Sequence, residues 1–358
     1  MSEFPKTTAS KKAKLSDVAR LANVSASTVS RVLNQPQIVR PEIRERVQNA
    51  IVMLDYSPDR MAKALSSGKS HTIGTVVPTI GGSAIFSDGV EALQDELETR
   101  GYSLLVSSSQ YDLEREFQQI KTLLDYGAAG LVLVGDTFSS DALRLIKKFG
   151  IPTVTTYTNK SRHGIPAIGI DNRLAAQNLT RLLLSLGHKK FGIIANIALQ
   201  NDRSQARVDG VRDALAEAGV PLPISNVVEV KLPTIENGRR GLAGLLELVA
   251  VPTAIVCTTD ALALGVMSEA RRRGLHIPDD MSVVGFDDID VAAETDPALT
   301  TVKNPAAEIG RIAAEYLSRA MDGHTIPLET ELPARLSVRS STGVAPADRS
   351  SAEVSPLE

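Results

Sequence analysis

Cysteine is almost absent, because Cys257 is the one cysteine among 358 residues. A single thiol excludes an intramolecular disulfide and is typical of a protein in a reducing cytoplasm. Cys257 lies in the apolar run AIVCTTDA, so we expect an inert buried thiol rather than a nucleophile. The histidines are scattered without the spacing of metal ligands, and the sequence therefore predicts no metal site.

Long apolar runs are also missing. No run reaches the length of about 18 residues that a membrane-spanning helix needs. The lysine-rich start of the chain lacks the apolar stretch of a secretory signal. We therefore expect a cytoplasmic protein with no membrane partner.

Catalytic motifs are lacking as well. The sequence has no G-x-G-x-x-G or Walker loop for a nucleotide, and neither G-x-S-x-G nor H-E-x-x-H for hydrolysis. Asp287 and Asp288 follow an apolar run, where adjacent acids more often hydrogen-bond a ligand or are solvated than act as an acid–base pair. We predict a protein that is not an enzyme and has no cofactor.

Charge is unevenly divided along the chain. Residues 1–70 contain twelve Lys and Arg against six Asp and Glu, a net charge of +6. The whole chain has a net charge of −3, so the remainder carries −9. A basic segment on an acidic body is typical of a polyanion-binding module attached to a second function. Such binding weakens steeply with salt.

The stretch Leu15–Leu33, LSDVARLANVSASTVSRVL, has the pattern of two short helices joined by a tight turn. Ser16 and Ser25 are the expected N-caps, and Asn23 suits a left-handed turn position. A third amphipathic helix begins at Pro41. The second helix has an outward polar face, formed by Ala26, Ser27, Ser30 and Arg31. Two interpretations remain open, a unit that places its second helix in the major groove of DNA and a generic three-helix bundle with a solvated face.

From residue 72 onward, short β-branched runs alternate with amphipathic helical stretches. The runs are at 71–78, 102–108, 130–135, 151–156, 167–170, 190–196, 226–231, 253–258 and 281–286. This alternation predicts parallel sheets covered by helices on both faces. The runs are too many for one ordinary sheet, so we expect two lobes of about 130–150 residues with a boundary near 169–172. A ligand of such sheets lies at the carboxyl ends of the strands, here in a cleft between the lobes.

Several motifs resemble the LacI/GalR family (lactose repressor type) of transcription regulators, from about residue 14 to 344. The resemblance lies in TVSRVLN (28–34), YSPDRMAKAL (56–65), TIGTVVP (72–78), SLGHKKFGII (185–194), PTAIVCTTDALALG (252–265), IPDDMSVVGFDD (277–288) and PALTTVKNP (297–305). It implies an α/β protein with an N-terminal three-helix helix-turn-helix head and a hinge helix. These would be joined to a two-lobed, periplasmic-binding-protein-like body of two doubly wound parallel sheets.

The resemblance also implies which residues contact DNA. Ala26 and Ser27, and Arg31 one turn later, would touch base edges, where Arg31 suits a guanine and Ala26 a thymine methyl group. A phosphate contact is the alternative for Arg31. Small polar side chains suited to phosphates, which fix register rather than sequence, are Ser25, Thr28, Ser30 and Asn34.

The segment Arg60–Ser67 resembles the hinge helix of the family, which folds on DNA when two copies meet at the operator centre. Leu65 occupies the place of the leucine that opens a central base step from the minor groove, with Ala62 one turn before it. Arg60 begins the segment and is included among the DNA contacts. Taken alone, the segment is a short apolar stripe followed by Ser66-Ser67-Gly68, which makes it marginal in isolation, as a switch requires.

The resemblance further implies the effector-binding residues of the cleft. Arg207 matches the effector-gripping arginine of the family, and Asp287 matches a carboxylate that accepts sugar hydroxyls. Phe86 stands where the family often stacks an aromatic ring, whereas Tyr157 and Thr259 replace residues that are Asp and Asn in many relatives. A guanidinium and a carboxylate suit a polyol, and the lost carboxylate slightly favours an acidic sugar. A structural ion pair between the lobes is the alternative role for Arg207.

The predicted domain organisation follows from these assignments. It comprises a disordered basic arm at 1–13, a helix-turn-helix domain at 14–58, a hinge helix and linker at 59–70, a two-lobed effector-binding and dimerisation domain at 71–344, and a disordered tail at 345–358. Lobe 1 is predicted at about 71–169 plus 304–332, and lobe 2 at about 170–303 plus 333–344.

Together these features predict a homodimeric repressor that binds a pseudo-palindromic, double-stranded DNA operator. A dimer reads two-fold symmetric DNA, and a small sugar or sugar acid between the lobes would set the operator affinity. Two alternatives remain. One is a cytoplasmic sugar-binding module whose head contacts another protein, and the other is a small-molecule enzyme with an accessory helical domain.

Leu65→Ala tests the hinge assignment. Removing the side chain that opens the base step is expected to lower specific operator affinity, because less of the bent DNA can be held. Effector affinity is expected to stay near that of the unmodified protein, because the cleft is untouched. Gel-shift titration measures the first affinity and calorimetry the second, and an equal loss of both would contradict the assignment.

Overall fold

The structure is a computed structural model that describes residues 13–56, 70–81, 84–197 and 201–346. The chain divides into two compact units, Met1–Ser70 and His71–Glu358, which are named the head and the body below. The hinge segment predicted at Arg60–Ser67 lies outside the described residues, as do residues 1–12 of the predicted arm and the tail from residue 347.

The head is a three-helix unit. Helix α1 spans Leu15–Leu21, α2 spans Ala26–Asn34 and α3 spans Pro41–Met53, with a 3₁₀ turn at Pro36–Ile38. The helices enclose one small core formed by Val18, Ala19, Ala22, Val29, Val32, Val47 and Ala50. Val29 and Val32 of α2 therefore face the core, opposite the outward face that the sequence predicts.

The turn between α1 and α2 forms as predicted. Asn23 has a φ of 53°, the left-handed conformation that asparagine tolerates better than most residues. Ser25 caps α2, because its hydroxyl accepts a hydrogen bond from the backbone N–H of Thr28 at 3.1 Å. These two residues fix where the second helix begins.

The predicted cap of α1 is wrong. The helix begins at Leu15, so Ser16 lies within its first turn rather than before it. The Asp17 carboxylate instead accepts the backbone N–H of Lys14 at 2.9 Å. An acidic residue at the third helical position satisfies the backbone N–H of the N-cap residue, a group that the side chain of a serine cap does not reach.

The body contains strands throughout the predicted positions. They are β1 Thr72–Val77, β2 Ser103–Ser108, β3 Gly130–Val134, β4 Thr153–Thr156, β5 Ala167–Gly169, β6 Phe191–Ala195, β7 Val227–Glu229, β8 Ala254–Cys257, β9 Ser282–Val284, β10 Thr301–Lys303, β11 Glu329–Glu331 and β12 Arg335–Ser337. Every run predicted as a strand contains one of β1 to β9.

Two parallel sheets organise these strands. One has six strands in the order β11-β5-β4-β3-β1-β2, and the other has four in the order β7-β6-β8-β9. They form the cores of lobe 1 and lobe 2, respectively. A short antiparallel ribbon pairs β10 with β12. The predicted two-sheet architecture is therefore confirmed.

Helices cover the sheets. They are α4 Ala84–Thr99, α5 Leu113–Asp125, α6 Ser140–Phe149, α7 Asn172–Ser185, α8 Asp202–Glu217, α9 Ile235–Leu245, α10 Asp260–Arg272, α11 Val291–Glu294 and α12 Ala306–Met321. Within the described ranges, none of the helices combines the length and the apolar character needed to cross a membrane.

The chain passes between the lobes at three places in the described body. The first connection runs from β5 to α7, the second from β10 to α12, and the third from β11 to β12. Because parallel strands end at the same edge of a sheet, these connections border the cleft that the carboxyl ends of the strands face.

Helices α9 and α10 pack backbone against backbone. A Cβ at Gly238 would collide with the carbonyl oxygen of Leu262, and a Cβ at Gly265 would collide with that of Ile235. Gly244 lies on the same helix as Gly238, but a Cβ there would meet nothing within 4 Å. The sequence therefore needs glycine at one of these helical positions and not at the other.

Gly238→Ala and Gly244→Ala form a matched pair. We expect Gly238→Ala to lower the free energy of unfolding of the body by about 1–3 kcal/mol, because the helices must separate. Gly244→Ala is expected to raise it by up to about 1 kcal/mol through helix propensity. Urea unfolding followed by circular dichroism measures both, and equal effects would contradict the close packing.

Candidate functional site

The outward face of α2 lies where the sequence predicts it. Ser25, Ala26, Ser27 and Arg31 are exposed, and Thr28 and Ser30 are half-buried. The Ser25 hydroxyl is shared between the Ser27 and Thr28 hydroxyls, each at 2.8 Å. Asn34 is the last residue of α2. Arg60, Ala62 and Leu65 lie outside the described residues.

Arg31 is the one strongly charged side chain of this face. Within residues 13–56, no ion pair holds its guanidinium, whereas Arg20 on α1 is paired with Asp17 at 2.8 Å. The small side chains around Arg31 leave the backbone of α2 open to close approach. Such a surface can enter a groove without steric obstruction and present one guanidinium to it.

The body has a small polar cavity between its lobes. It is lined by Ile85, Phe86, Tyr111, Tyr157, Asn201, Arg203, Ser204, Arg207, Thr259, Asp287 and Asn304. All the effector-binding residues predicted from the sequence are among these. The cavity encloses about 20 Å³, room for roughly one water molecule.

Arg207 is the best-anchored side chain of the cavity. Its Nε donates to Asn172 Oδ1 at 2.9 Å, and its Nη1 donates to the Thr258 carbonyl at 2.6 Å. Its Nη2 donates to Asp287 Oδ1 at 3.4 Å, and the guanidinium lies 3.6 Å from the centroid of the Phe286 ring. Burial lowers the pKa of Arg207, although the Asp287 charge opposes this. These contacts hold the group rigidly in a region with little water.

Asp287 and Asp288 point to different partners. Asp287 has a φ of 117° and turns its carboxylate toward Arg207. Burial raises the pKa of Asp287, with Arg207 opposing. The Asp288 carboxylate contacts Arg339 at 2.7 Å and accepts a hydrogen bond from Ser337 at 2.8 Å. Because the two carboxylates diverge, they do not form an acid–base pair.

The aromatic wall of the cavity comes from lobe 1. The Tyr157 hydroxyl donates to the Ile85 carbonyl at 3.0 Å, and the Tyr157 ring meets Phe86 edge to face at 5.2 Å. Burial raises the pKa of Tyr157. Its hydroxyl is therefore committed to the protein, and Tyr157 offers the cavity an apolar ring rather than a hydrogen-bonding group.

Thr259 is also committed to the fold. It is the N-cap of α10, and its hydroxyl accepts the backbone N–H of Leu262 at 3.4 Å. Of the positions predicted from the resemblance, Arg207 and Asp287 are thus the charged groups that line the cavity. Phe86, Tyr157 and Thr259 shape the wall.

Sequence reasoning missed several residues of the cavity. Arg203 lies four positions before Arg207, a helical spacing that places both on one face of α8. Tyr111 follows the carboxyl end of β2, which is where parallel sheets place ligand-binding groups. Burial raises the pKa of Tyr111 to about 12.

Asn304 follows β10, which runs beside the segment after β9 through the parallel bridge of Asp287 with Lys303. The buried Asn304 side chain lies beside the Asp287 carboxylate and lowers its pKa. Neither amide atom of Asn304 makes a well-formed hydrogen bond with the described residues.

The described residues contain no cluster of side chains that could hold a metal ion. Cys257 is buried in β8, and burial raises the pKa of its thiol. A protonated, enclosed thiol is a poor nucleophile.

Comparison with known proteins identifies both units. Residues 14–59 match the family model of bacterial regulatory proteins, lacI family, and residues 180–342 match a periplasmic binding protein-like domain. Catabolite control protein A of Priestia megaterium is 31% identical over 91% of this chain and 98% of its own length. The HTH-type transcriptional repressor CytR of Escherichia coli (strain K12) is 32% identical over 93% of this chain and 97% of its own.

Solved structures agree with this. The lac repressor dimer bound to operator and the anti-inducer ONPF superposes with a TM-score of 0.83 at 27% identity, covering 93% of this chain and all of the other. A complex of the transcriptional regulator CelR with cellobiose gives a TM-score of 0.69 at 26% identity, over 92% of this chain and all of the other. The chain therefore belongs to the LacI family of DNA-binding transcriptional regulators, not to a family of enzymes, and carries a periplasmic-binding-protein-like body.

Proposed function

We propose that this regulator is a homodimeric repressor whose cleft binds a small sugar or sugar acid. The observation that carries the proposal is the enclosed pair of Arg207 and Asp287, held between two lobes of a body that is attached to a DNA-binding head. A regulator that binds the bacterial chromosome acts in the cytoplasm.

The head is proposed to read DNA through α2. Ala26, Ser27 and Arg31 contact base edges, and their exposure supports this role. Ser25, Thr28, Ser30 and Asn34 contact phosphates and fix the register. The hinge segment adds Arg60, Ala62 and Leu65 at the minor groove, a proposal that rests on the sequence alone.

Two copies of the chain are proposed to bind one pseudo-palindromic operator. The similar lac repressor structure is a dimer bound to operator. Isologous pairing of two heads doubles the groove contacts and matches the symmetry of the site. One head alone has few side chains capable of base discrimination, so a second copy is needed for useful specificity.

The effector is proposed to be a polyol. Asp287 accepts hydroxyl groups, Arg207 donates to ring or hydroxyl oxygens, and Phe86 packs against an apolar sugar face. A similar protein from Haemophilus influenzae is named the ribose operon repressor, at 33% identity over 85% of this chain and 91% of its own, and CelR was solved with cellobiose. Both relatives support a carbohydrate.

The domain bounds predicted from the sequence are kept as a proposal. Strands β1 to β5 and β11 share the sheet of lobe 1, which supports lobe 1 at 71–169 plus 304–332. The pairing of β12 with β10 supports placing 333–344 with lobe 2. The helix-turn-helix domain at 14–58 and the linker at 59–70 are kept as predicted, both within the head.

Selection from a random DNA pool tests the proposed role of α2 in base recognition. Exchanging Ala26 and Ser27 is expected to change the selected sequence, because these side chains differ in what they offer to a base. Arg31→Ala is expected to cost about 1–3 kcal/mol and to relax one position. Arg20→Ala, a head arginine outside this face, is the control and should leave the selected sequence unchanged.

An unaltered sequence after the exchange would show that another element reads the bases. If the unmodified protein showed no sequence preference at moderate salt, the alternative of a head that contacts a protein would be favoured instead.

Arg207→Ala and Arg207→Lys test the effector site. Both are expected to abolish the effector-induced change in operator affinity, because lysine retains the charge but not the forked donors. Arg207→Ala is also expected to lower the stability of the body by about 3–5 kcal/mol, because it leaves Asp287 buried without its partner. Fluorescence anisotropy of a labelled operator measures the response, and a normal response in Arg207→Lys would remove Arg207 from the site.

A further inference from the structure

Arg203 lies at a boundary within the cleft. It is the second residue of α8 and its side chain is 8% exposed. It lines the small cavity that contains Arg207, and it also lines a larger cavity of about 540 Å³ that Arg207 does not line. A ligand entering from the larger cavity would meet Arg203 before it reaches Arg207.

The two arginines of α8 are held very differently. Arg207 donates to three oxygen acceptors and stacks on a ring. Within the described residues, the Arg203 guanidinium makes a single hydrogen bond, which runs from Nη1 to Asp202 Oδ1 at 2.7 Å. A guanidinium has five N–H groups, so most of the hydrogen-bonding capacity of Arg203 is left for a ligand.

The position of Arg203 is fixed by its contacts with Gly135 and Asp202. Gly135, at the end of β3, has a φ of 84°, and a Cβ there would collide with the guanidinium. The other oxygen of Asp202 accepts the backbone N–H of Asp136 from lobe 1 at 2.8 Å. Arg203 is therefore fixed where the two lobes meet, and it shares its carboxylate partner with a backbone group.

The surroundings do not fully compensate the charge of Arg203. Besides its ion-pair partner Asp202, Arg203 acts on two further carboxyls. Asp287 lines the inner cavity with it and is already bound by Arg207, and Glu116 lies on α5. Burial raises the pKa of Glu116 to about 8, although Arg203 lowers it. Glu116 is therefore largely protonated near neutral pH. A cation in the first turn of a helix is also opposed by the helix dipole, which an anion would relieve.

Two buried polar side chains lie beside Arg203. Glu116 is 7% exposed, its Oε2 has no hydrogen-bond partner, and it lines a small cavity together with Arg203. Asn304 is 5% exposed and lines the inner cavity with Arg203. It lies beside the Asp287 carboxylate, whose pKa it lowers, but its amide atoms make no well-formed hydrogen bond with the described residues. Both side chains therefore have hydrogen-bonding capacity left for ordered water or a ligand group in these cavities.

We propose that the effector carries an anionic group, a carboxylate or a phosphate, which Arg203 binds as the specificity-determining residue of the cleft. This rests on the proposed function in that the cleft is the effector site. The polyol part lies at Arg207 and Asp287, and the anionic part lies toward the larger cavity. The anion replaces Asp202 as a partner of Arg203, and Asp202 keeps the Asp136 N–H.

Inorganic phosphate is a direct probe of this site. Thermal unfolding of the full chain is measured in rising sodium phosphate, at an ionic strength held constant with sodium chloride. The unmodified protein is expected to show a saturable rise in melting temperature. Arg203→Gln is expected to need about tenfold or more phosphate for the same rise, because it loses charge-assisted hydrogen bonds.

Arg181→Gln is the matched control, because Arg181 lies on α7 and pairs with Glu217 outside the cleft. It should respond to phosphate as the unmodified protein does. Arg203→Lys keeps the positive charge but loses the forked donors. Its rise in melting temperature with phosphate is expected to lie between those of the unmodified protein and Arg203→Gln. Equal phosphate responses of the unmodified protein and Arg203→Gln would overturn the proposal.

A crystal of the unmodified protein grown with selenate needs no variant. Anomalous scattering from selenium beside Arg203 would support the proposal, and selenate bound elsewhere in the cleft but not there would overturn it. Calorimetry with gluconate and with glucose 6-phosphate separates the two sources of charge. Tighter binding of the first assigns a carboxylate, and tighter binding of the second assigns a phosphate.

The outcomes separate this proposal from the proposed function. Anion binding at Arg203 in a protein whose operator affinity never responds to ligand would overturn effector control while supporting the anion site. An operator response to neutral sugars alone, unchanged in Arg203→Gln, would support effector control and overturn the anion site.

Discussion

The buried pair of Arg207 and Asp287 is the interaction on which the cleft depends. Removing two charges from water is costly, and a pair of this kind persists where further bonds offset that penalty. Two further oxygen acceptors and the Phe286 ring do so here. Asn172 extends the network, because its Nδ2 donates to the carbonyl of Tyr157 at 3.0 Å. Arg207 is thereby connected to the end of a lobe 1 strand, and a ligand that takes one of these bonds alters contacts that reach both lobes.

The cavity beside Arg207 is too small for a sugar in the arrangement of the lobes seen here. A space of about 20 Å³ holds roughly one water molecule and no sugar ring. A ligand at Arg207 must therefore displace the aromatic wall of lobe 1 or separate the lobes. Binding and lobe rearrangement are then one equilibrium, and a ligand shifts it by its difference in affinity for the two arrangements. The three connections between the lobes are where such a movement would be absorbed.

Much of the fold could be predicted from the sequence because its signals are local. Alternating β-branched runs located β1 to β9, and the Ser25 cap with Asn23 located the turn of the head. The cap of α1 could not be assigned from the presence of a serine, because the helix begins one residue before Ser16 and Asp17 satisfies the backbone N–H of Lys14. In the cleft, residue type at a matching position predicted that Arg207 and Asp287 line the cavity, and both do. It did not reveal that the hydroxyls of Thr259 and Tyr157 serve the fold, nor that Arg203 is buried, since both depend on contacts between distant segments.

The chemistry of the outward face of α2 limits how strongly effector binding must be coupled to operator affinity. Ala26 and Ser27 offer a methyl group and an unselective hydroxyl, so in the proposed mode of reading most base discrimination by α2 comes from Arg31. Affinity for an operator is then a sum of modest contributions from two heads and two hinge segments. A sum of this kind is lost when the segments can no longer be placed together. An effector coupling of about 1–3 kcal/mol changes affinity by about 5- to 150-fold. A pocket that exchanges a few buried hydrogen bonds between lobes operates in that energy range, because a charge-assisted bond contributes about 1.5–3 kcal/mol.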